Sequence, residues 1–464
     1  MTPRGGPPSA RAAIAAVADG FTELPGAEAA QPADGPLGWS GYDAGRERAA
    51  ERTGESESVV CGVATLGGTR ALLVAFEFGF LGGSLGSRTG DRLEAAHARA
   101  RELSLPVVSL IATGGSRMQE GMRALTQLQR VARQAALTRG AGLPQIAVLR
   151  DPATGGGWAT LGAGADVTLA LPGAQIGFAG SRVRPADADP RAYTAEEQLA
   201  TGHVDAVVPE GELRGTLGRW LELLGTRPAR DGRAVPPADP PAALGTDALP
   251  ASGWAAVRQA RAAGRPRADA YLTAHFTARA ELSGDRCGGV DTGVRCGFGR
   301  YAGRTVAYAA QLGTATRPAG FRTAARLIRL AGRLGLPVLT LVDTPGAAND
   351  AAAERAGAGA AIAECFAAVA ESPVPVTTLV VGEGGSGGAL ALASPGRTWM
   401  TPDSYFSVIA PELAAAILKR GPQDVRATAD QLRIRPQDVV ALGAAEGIVS
   451  SASRPAESSR SAGS

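Results

Sequence analysis

Apolar positions along the chain come in short blocks, and the spacing inside each block predicts its element. Residues 59–65 and 71–76 read as two strands, and Gly67-Gly68 between them marks a hairpin. Residues 91–103 have helical spacing, 105–112 form an apolar run of strand length, 121–139 are helical again, and 145–150 form a second buried strand. Farther on the order returns: strands at 288–298 and 304–311, a helix at 320–333, a strand at 338–342, a helix at 353–372 and a strand at 376–381. Strands and helices alternating over short connections predict an α/β chain with largely parallel, helix-covered sheets and ligands at the strand ends.

The return is in register. Leu105-Pro106-Val107-Val108-Ser109-Leu110 recurs as Leu336-Pro337-Val338-Leu339-Thr340-Leu341, and Leu143-Pro144 as Val374-Pro375; 336 − 105 and 374 − 143 both equal 231. In each copy the second apolar run ends in glycines, Gly155-Gly156-Gly157 and Gly384-Gly385-Ser386-Gly387-Gly388. The chain therefore reads as one βα-rich domain duplicated. Residues 1–55 form an Ala/Pro/Gly-rich N-terminal arm with a helix at 11–17, 56–225 the first domain, and 226–268 a Pro/Ala-rich linker. Residues 269–451 form the second domain, and 452–464 a disordered tail.

A length of 464 residues with 45% hydrophobic content suits two such domains, each with its own core. The formal charge of +3 and the scarcity of lysine, with Lys419 alone, give no basic stripe, so nucleic acid is excluded as a partner. A few arginines still suffice for an anionic small molecule. Cys61, Cys287, Cys296 and Cys365 show no CxxC spacing, which supports neither a zinc ribbon nor a disulfide framework. No signal-peptide pattern and no uncharged apolar run of ~18 residues occurs, so a cytoplasmic chain without membrane contact is expected.

The glycine clusters hold the candidate chemistry, and three readings compete. Gly382 to Gly387 match GxGxxG after a strand, as in a dinucleotide fold, but the first copy lacks that spacing. Gly384 to Gly388 match GxSxG with Ser386 as nucleophile, yet that arrangement needs a later histidine, and the histidines are His97, His203 and His275. The third reading is an oxyanion hole: glycines at a strand-to-helix turn expose backbone N–H groups beside the positive helix end. Only this one explains why both copies keep the turn. Glycines there also serve close packing of helix on sheet.

At these residues the chain resembles the carboxyltransferase component of acetyl-CoA carboxylase, with the bacterial β and α subunits fused in that order. The first half carries Phe78-Gly79-Phe80-Leu81-Gly82-Gly83-Ser84-Leu85-Gly86-Ser87, Gly114-Gly115-Ser116-Arg117-Met118-Gln119-Glu120-Gly121, Asp151-Pro152-Ala153-Thr154-Gly155-Gly156 and Ile176-Gly177-Phe178-Ala179-Gly180. The second carries Gly284-Asp285-Arg286, Leu341-Val342-Asp343-Thr344-Pro345-Gly346-Ala347 and Gly382 through Leu390. The likeness spans about residues 38–450.

The resemblance implies a crotonase-like ββα-superhelix in each half, facing each other across a site completed by dimerisation, and a homodimer or higher homo-oligomer. It implies transfer of a carboxyl group from carboxybiotin, on a separate biotin carboxyl carrier protein loaded by a biotin carboxylase, to acetyl-CoA. The product is malonyl-CoA, for fatty acid or polyketide synthesis. Gly155 and Gly156 would hold the thioester enolate oxygen, Gly387 and Gly388 the biotin ureido oxygen, and Gly114, Gly115 and Arg117 would lie near the coenzyme A of the acyl-CoA. No catalytic metal is implied. The same enolate hole would also serve a biotin-independent malonyl-thioester decarboxylase, and the fold alone a non-catalytic subunit.

Three departures stand out. The β subunits usually carry an N-terminal zinc ribbon of CxxC pairs, and because no cysteine precedes Cys61 metal binding is not expected. The aromatic-Pro-Gly that follows DTPGA in the family is replaced by Ala348-Asn349-Asp350, and a longer loop is reduced to Gly313-Thr314-Ala315-Thr316-Arg317.

Overall fold

The computed structural model of the chain describes residues 8–26, 31–225 and 234–451. The expected tail at 452–464 and residues 226–233 of the expected linker lie outside them. The chain divides into two compact units, the first built mainly from residues up to 234 and the second mainly from 235 onward; segments 280–290 and 330–336 join the first.

In the first unit the sheet runs Gly20–Glu23, Val59–Leu66, Thr69–Phe76, Val107–Thr113, Gln145–Thr154, Val167–Ala170, Ala206–Val207. The pairs up to Thr69–Phe76 are antiparallel and the rest parallel. Gly67-Gly68 closes the hairpin as the two residues between paired Leu66 and Thr69. Leu72, Val74, Phe76, Leu93, Ile111 and Leu149 anchor the core.

The second unit repeats the plan. Val294–Tyr301 pairs antiparallel with Arg304–Gln311, followed in parallel by Val338–Thr344, Val376–Gly385, Thr398–Met400 and Gly447–Ile448. Tyr271, Val306, Tyr308, Leu339, Leu341 and Leu379 form its core.

The repeat holds residue by residue. Strands Val107–Thr113 and Gln145–Thr154 map onto Val338–Thr344 and Val376–Gly385 at both ends with the offset 231 (338 − 107, 344 − 113, 376 − 145, 385 − 154). Helix Ser87–Leu103 maps onto Pro318–Leu334 in the same way. Even the irregularity repeats, since the pairing shifts register between Ile111 and Thr113 and again between Val342 and Thr344.

Four local expectations need correction. The arm holds, besides the helix Ala10–Val17, an edge strand Gly20–Glu23 and a helix Tyr42–Thr53; that helix buries only Tyr42 and Ala49, so no apolar stripe announces it. The helix expected over 353–372 is two, Ala351–Arg355 and Ala358–Ala370, broken where Gly357 takes a φ of 77°. The strand expected over 288–298 is Val294–Tyr301, because Asp285 and Asp291 fold the residues before it into turns by accepting from the Gly289 and Gly293 N–H groups. Gly284-Asp285-Arg286 belongs to the first unit, where the Arg286 guanidinium pairs with buried Asp205 at 2.5 Å.

Candidate functional site

Each unit carries the same construction at the end of its two central parallel strands. Val107–Thr113 runs into a loop whose Gly115 N–H donates to Thr113 Oγ1 at 3.1 Å; in the other unit Gly346 N–H donates to Thr344 Oγ1 at 3.1 Å. A second loop is stitched to it by one parallel bridge, Leu85 with Ser116 and Thr316 with Ala347, and 316 − 85 and 347 − 116 both equal 231. Leu85 N–H donates to Gly115 O at 2.8 Å and Arg117 N–H to Leu85 O at 2.9 Å. Thr316 N–H donates to Gly346 O at 3.0 Å and Ala348 N–H to Thr316 O at 2.9 Å. Thr344 lies in the Leu341–Ala347 motif, whereas Thr113 is legible only through the offset.

The neighbouring strands, Gln145–Thr154 and Val376–Gly385, then turn abruptly into helix. Gly155 makes the first turn with a φ of 65° and Ser386 the second with a φ of 55°. Gly155 N–H, which the resemblance assigns to the thioester oxygen, donates to Phe178 O at 3.1 Å. Register pairs Gly156 with Gly387 and Gly157 with Gly388 (387 − 156 and 388 − 157 equal 231). These are first-turn residues, whose amides a helix leaves without an i−4 carbonyl.

Packing explains why side chains are missing there. A Cβ on Gly157 would stand 2.6 Å from Thr113 Cγ2, and one on Gly388 would stand 2.2 Å from Ala347 N. Gly387 differs, because a Cβ there would meet no atom within 4 Å. Its Cβ position faces open space, where an oxygen of a ligand could accept from the first-turn N–H groups. Gly115 borders the first cradle, with its Cβ position 3.7 Å from Gly155 Cα, and Gly114 N–H is tied to Gly82 O at 2.8 Å.

Arg117, expected near coenzyme A, is buried. Its guanidinium is 1% exposed and donates to both Glu57 oxygens, at 2.5 and 3.0 Å, and to Ser84 Oγ and Ser84 O at 3.1 and 2.7 Å. Glu120, also buried, accepts from Tyr42 Oη at 2.6 Å and from Ser87 N–H at 2.6 Å. Burial alone would raise the Glu57 carboxyl, but the Arg117 charge and hydrogen bonds outweigh it and hold the group below its usual value. The side chain clamps the loop around Ser84.

Sequence reasoning also missed the polar frame of the second cradle. Arg265, 2% exposed, donates to both oxygens of buried Asp343 at 2.9 Å and to Val381 O at 2.9 Å. Gln311 Nε2 donates to Gly388 O and Thr316 Oγ1, both at 3.0 Å. Glu383 accepts from Tyr405 Oη at 2.7 Å and from Arg261 at 2.9 Å. Ser386 is not set up as a nucleophile by a histidine: His97 faces Thr138 Oγ1 at 3.0 Å, and His275 stacks on Tyr301. Among the described residues no group of three or more His, Cys, Asp or Glu side chains could hold a metal ion, and no helix is long and apolar enough to cross a membrane.

Two α/β units with matching glycine turns at the ends of their central parallel strands define a duplicated crotonase-like scaffold. The fold matches that of transcarboxylase 12S, a hexamer solved with methylmalonyl-CoA and methylmalonic acid bound, at a TM-score of 0.77 and 20% identity over 96% of this chain and 87% of that one. The family model described as "Carboxyl transferase domain" matches residues 39–218, and that described as "Acetyl co-enzyme A carboxylase carboxyltransferase-like" matches residues 250–462. The acetyl-coenzyme A carboxylase carboxyl transferase subunits beta/alpha of Salinispora tropica are 41% identical over 86% of this chain and 74% of theirs. A Mycobacterium bovis protein named "Probable biotin-dependent acyl-coenzyme A carboxylase beta3 subunit" is 34% identical over 87% of this chain and 82% of its own. The chain belongs to the acetyl-CoA carboxylase carboxyltransferase family, with the β-like and α-like halves in one polypeptide.

Proposed function

We propose that this chain moves a carboxyl group between carboxybiotin on a carrier protein and acetyl-CoA, forming malonyl-CoA. The observation that carries the reading is the pair of backbone cradles in register, Gly156-Gly157 and Gly387-Gly388, each at the first turn of a helix. Carboxybiotin supplies the carboxyl group and the basic nitrogen. The amides of Gly156 and Gly157 would take up negative charge growing on the thioester oxygen as the α-proton leaves, with Gly155 as the hinge that aims them. Gly114 and Gly115 border this cradle and would lie along the coenzyme A. The amides of Gly387 and Gly388 would polarise the ureido oxygen. Losing one such donor costs ~3 kcal/mol of transition-state stabilisation.

The donor set fits both groups, because each needs N–H donors and close approach rather than a side-chain base. Partners follow from the family: a biotinylated carrier, a biotin carboxylase and further copies of the chain, in the cytoplasm. The test is radiolabel transfer from carboxyl-labelled malonyl-CoA. Label appearing on a biotinylated carrier is the expected result; release of CO2 at the same rate without the carrier would replace this reading with a decarboxylase, and no reaction with a non-catalytic subunit.

A further inference from the structure

We propose that Arg317 and Asp350 are positioning residues, an ion-pair latch that fixes the second cradle and sets how tightly this chain takes its biotin-bearing substrate. The proposal rests on the assignment of that cradle made above. The two segments that depart from the family pattern, 313–317 and 348–350, are joined to each other by this pair, with Arg317 Nη1 and Nη2 donating to the two Asp350 oxygens at 3.0 and 3.1 Å. Each residue is also held in place, Asp350 by its side chain and Arg317 by its backbone N–H. Asp350 Oδ1 caps the following helix by accepting from Ala353 N–H at 2.8 Å, and Arg317 N–H donates to Asp291 Oδ2 at 2.7 Å.

From the latch a continuous set of contacts leads to the cradle. Thr316, next to Arg317, bridges Ala347, and its hydroxyl accepts from Gln311, whose amide also holds Gly388 O. The Pro345–Ala347 segment abuts the turn so closely that a Cβ on Gly385 would stand 2.1 Å from Pro345 O. A shift of the joined loops is therefore passed to the first turn of the helix rather than absorbed.

The first unit solves the same problem with different chemistry. There Arg117 closes the loop pair by donating to Ser84 Oγ and Ser84 O, and it pairs with Glu57, both side chains 1% exposed, whereas the position of Arg117 in the second unit (117 + 231 = 348) is Ala348. The closing pair has moved to the surface, with side chains 45% and 53% exposed. Salt screens an exposed pair and leaves a buried one nearly untouched. One cradle is thus fixed and the other adjustable by ionic strength.

The test uses the full chain in the malonyl-CoA to free biotin transfer assay. Asp350→Asn removes the charge while keeping a good helix cap, and Arg317→Gln removes the other. Each single change is expected to raise the KM for biotin about fivefold, the scale of an exposed ion pair, while the KM for malonyl-CoA stays within about twofold. The double variant is expected to be no worse than either single one, and Arg317→Lys to recover part of the loss. Between about 0.05 and 0.5 M salt the wild-type KM for biotin rises, and in the variants that rise is lost. Equal shifts of both KM values, or no shift in variants with an unchanged Tm, would overturn the latch. Gly387→Ala, measured in parallel, separates the two claims: if it impairs transfer while the latch variants do not, the latch fails and the cradle assignment stands. If it too is silent, the assignment itself fails and the latch with it.

Discussion

Gly155 and Ser386 occupy the same position in the two halves, 231 residues apart, and both hold a positive φ, 65° and 55°. The same turn is thus made once by a residue without a Cβ and once by a residue that bears one. The difference lies in the neighbours. A Cβ on Gly155 would press on Gly115 Cα at 2.8 Å, so the first turn cannot take a side chain without moving backbone.

That asymmetry predicts opposite outcomes for exchanging the two residues. Gly155→Ser is expected to destabilise by about 2 kcal/mol or more, from left-handed strain plus the backbone clash. Ser386→Gly is expected to change stability by less than about 1 kcal/mol, because relief of strain is offset by extra freedom in the unfolded chain. Thermal unfolding of both variants decides it.

The buried pair Arg117–Glu57 predicts a large loss when one partner goes. Arg117→Met is expected to cost about 3–5 kcal/mol at neutral pH, because it strands Glu57 as an unpaired buried charge. In the wild type the Glu57 value is held low, so its stabilisation is full above the ordinary carboxyl value of ~4.3 and is lost as pH falls through the lowered folded value. In the variant only the Ser58 hydrogen bonds still oppose burial, and acidification neutralises the stranded carboxyl. The gap in Tm between variant and wild type is therefore expected to narrow from pH 7 to pH 5.

Histidine supplies a second pH effect. Burial, and then the charge of Arg101, push His97 down to about 4, and burial pushes His275 to about 4 as well. An unfolded histidine titrates near ~6.5, so the folded state binds fewer protons between the two values and stability falls as pH falls, by up to about 1.4 kcal/mol per pH unit for buried His97 and by less for His275, which solvent partly screens. His97→Asn is expected to flatten the Tm profile between pH 6.5 and 4.5. An unchanged slope would show that the ring does not stay neutral in the fold.

Much of the fold could be read from the sequence because its signals are local. The hairpin around Gly67-Gly68, the apolar strands at Val107–Thr113 and Val338–Thr344 and the offset itself all lie in contiguous residues. Strand Val376–Gly385 runs four residues beyond the expected end at 381, through glycines that carry no strand signal and that are held by pairing with Tyr405–Ser407. The site was legible as a place but not as a mechanism of support. Arg117 lies in a polar loop, and its burial depends on Glu57, sixty positions earlier. Arg317 and Asp350 stand 33 positions apart, and only the stitched loops bring them together.

Gly387 offers the most direct measurement, since its Cβ position faces open space and alanine there disturbs no packing. Carboxyl transfer from malonyl-CoA to free biotin should be measured for wild type and Gly387→Ala, varying each substrate, alongside the Tm. The account predicts an unchanged or slightly higher Tm, transfer reduced about 10- to 100-fold on the biotin side, and a KM for malonyl-CoA within about twofold of wild type. Transfer at the wild-type rate, or a defect confined to malonyl-CoA binding, would contradict it.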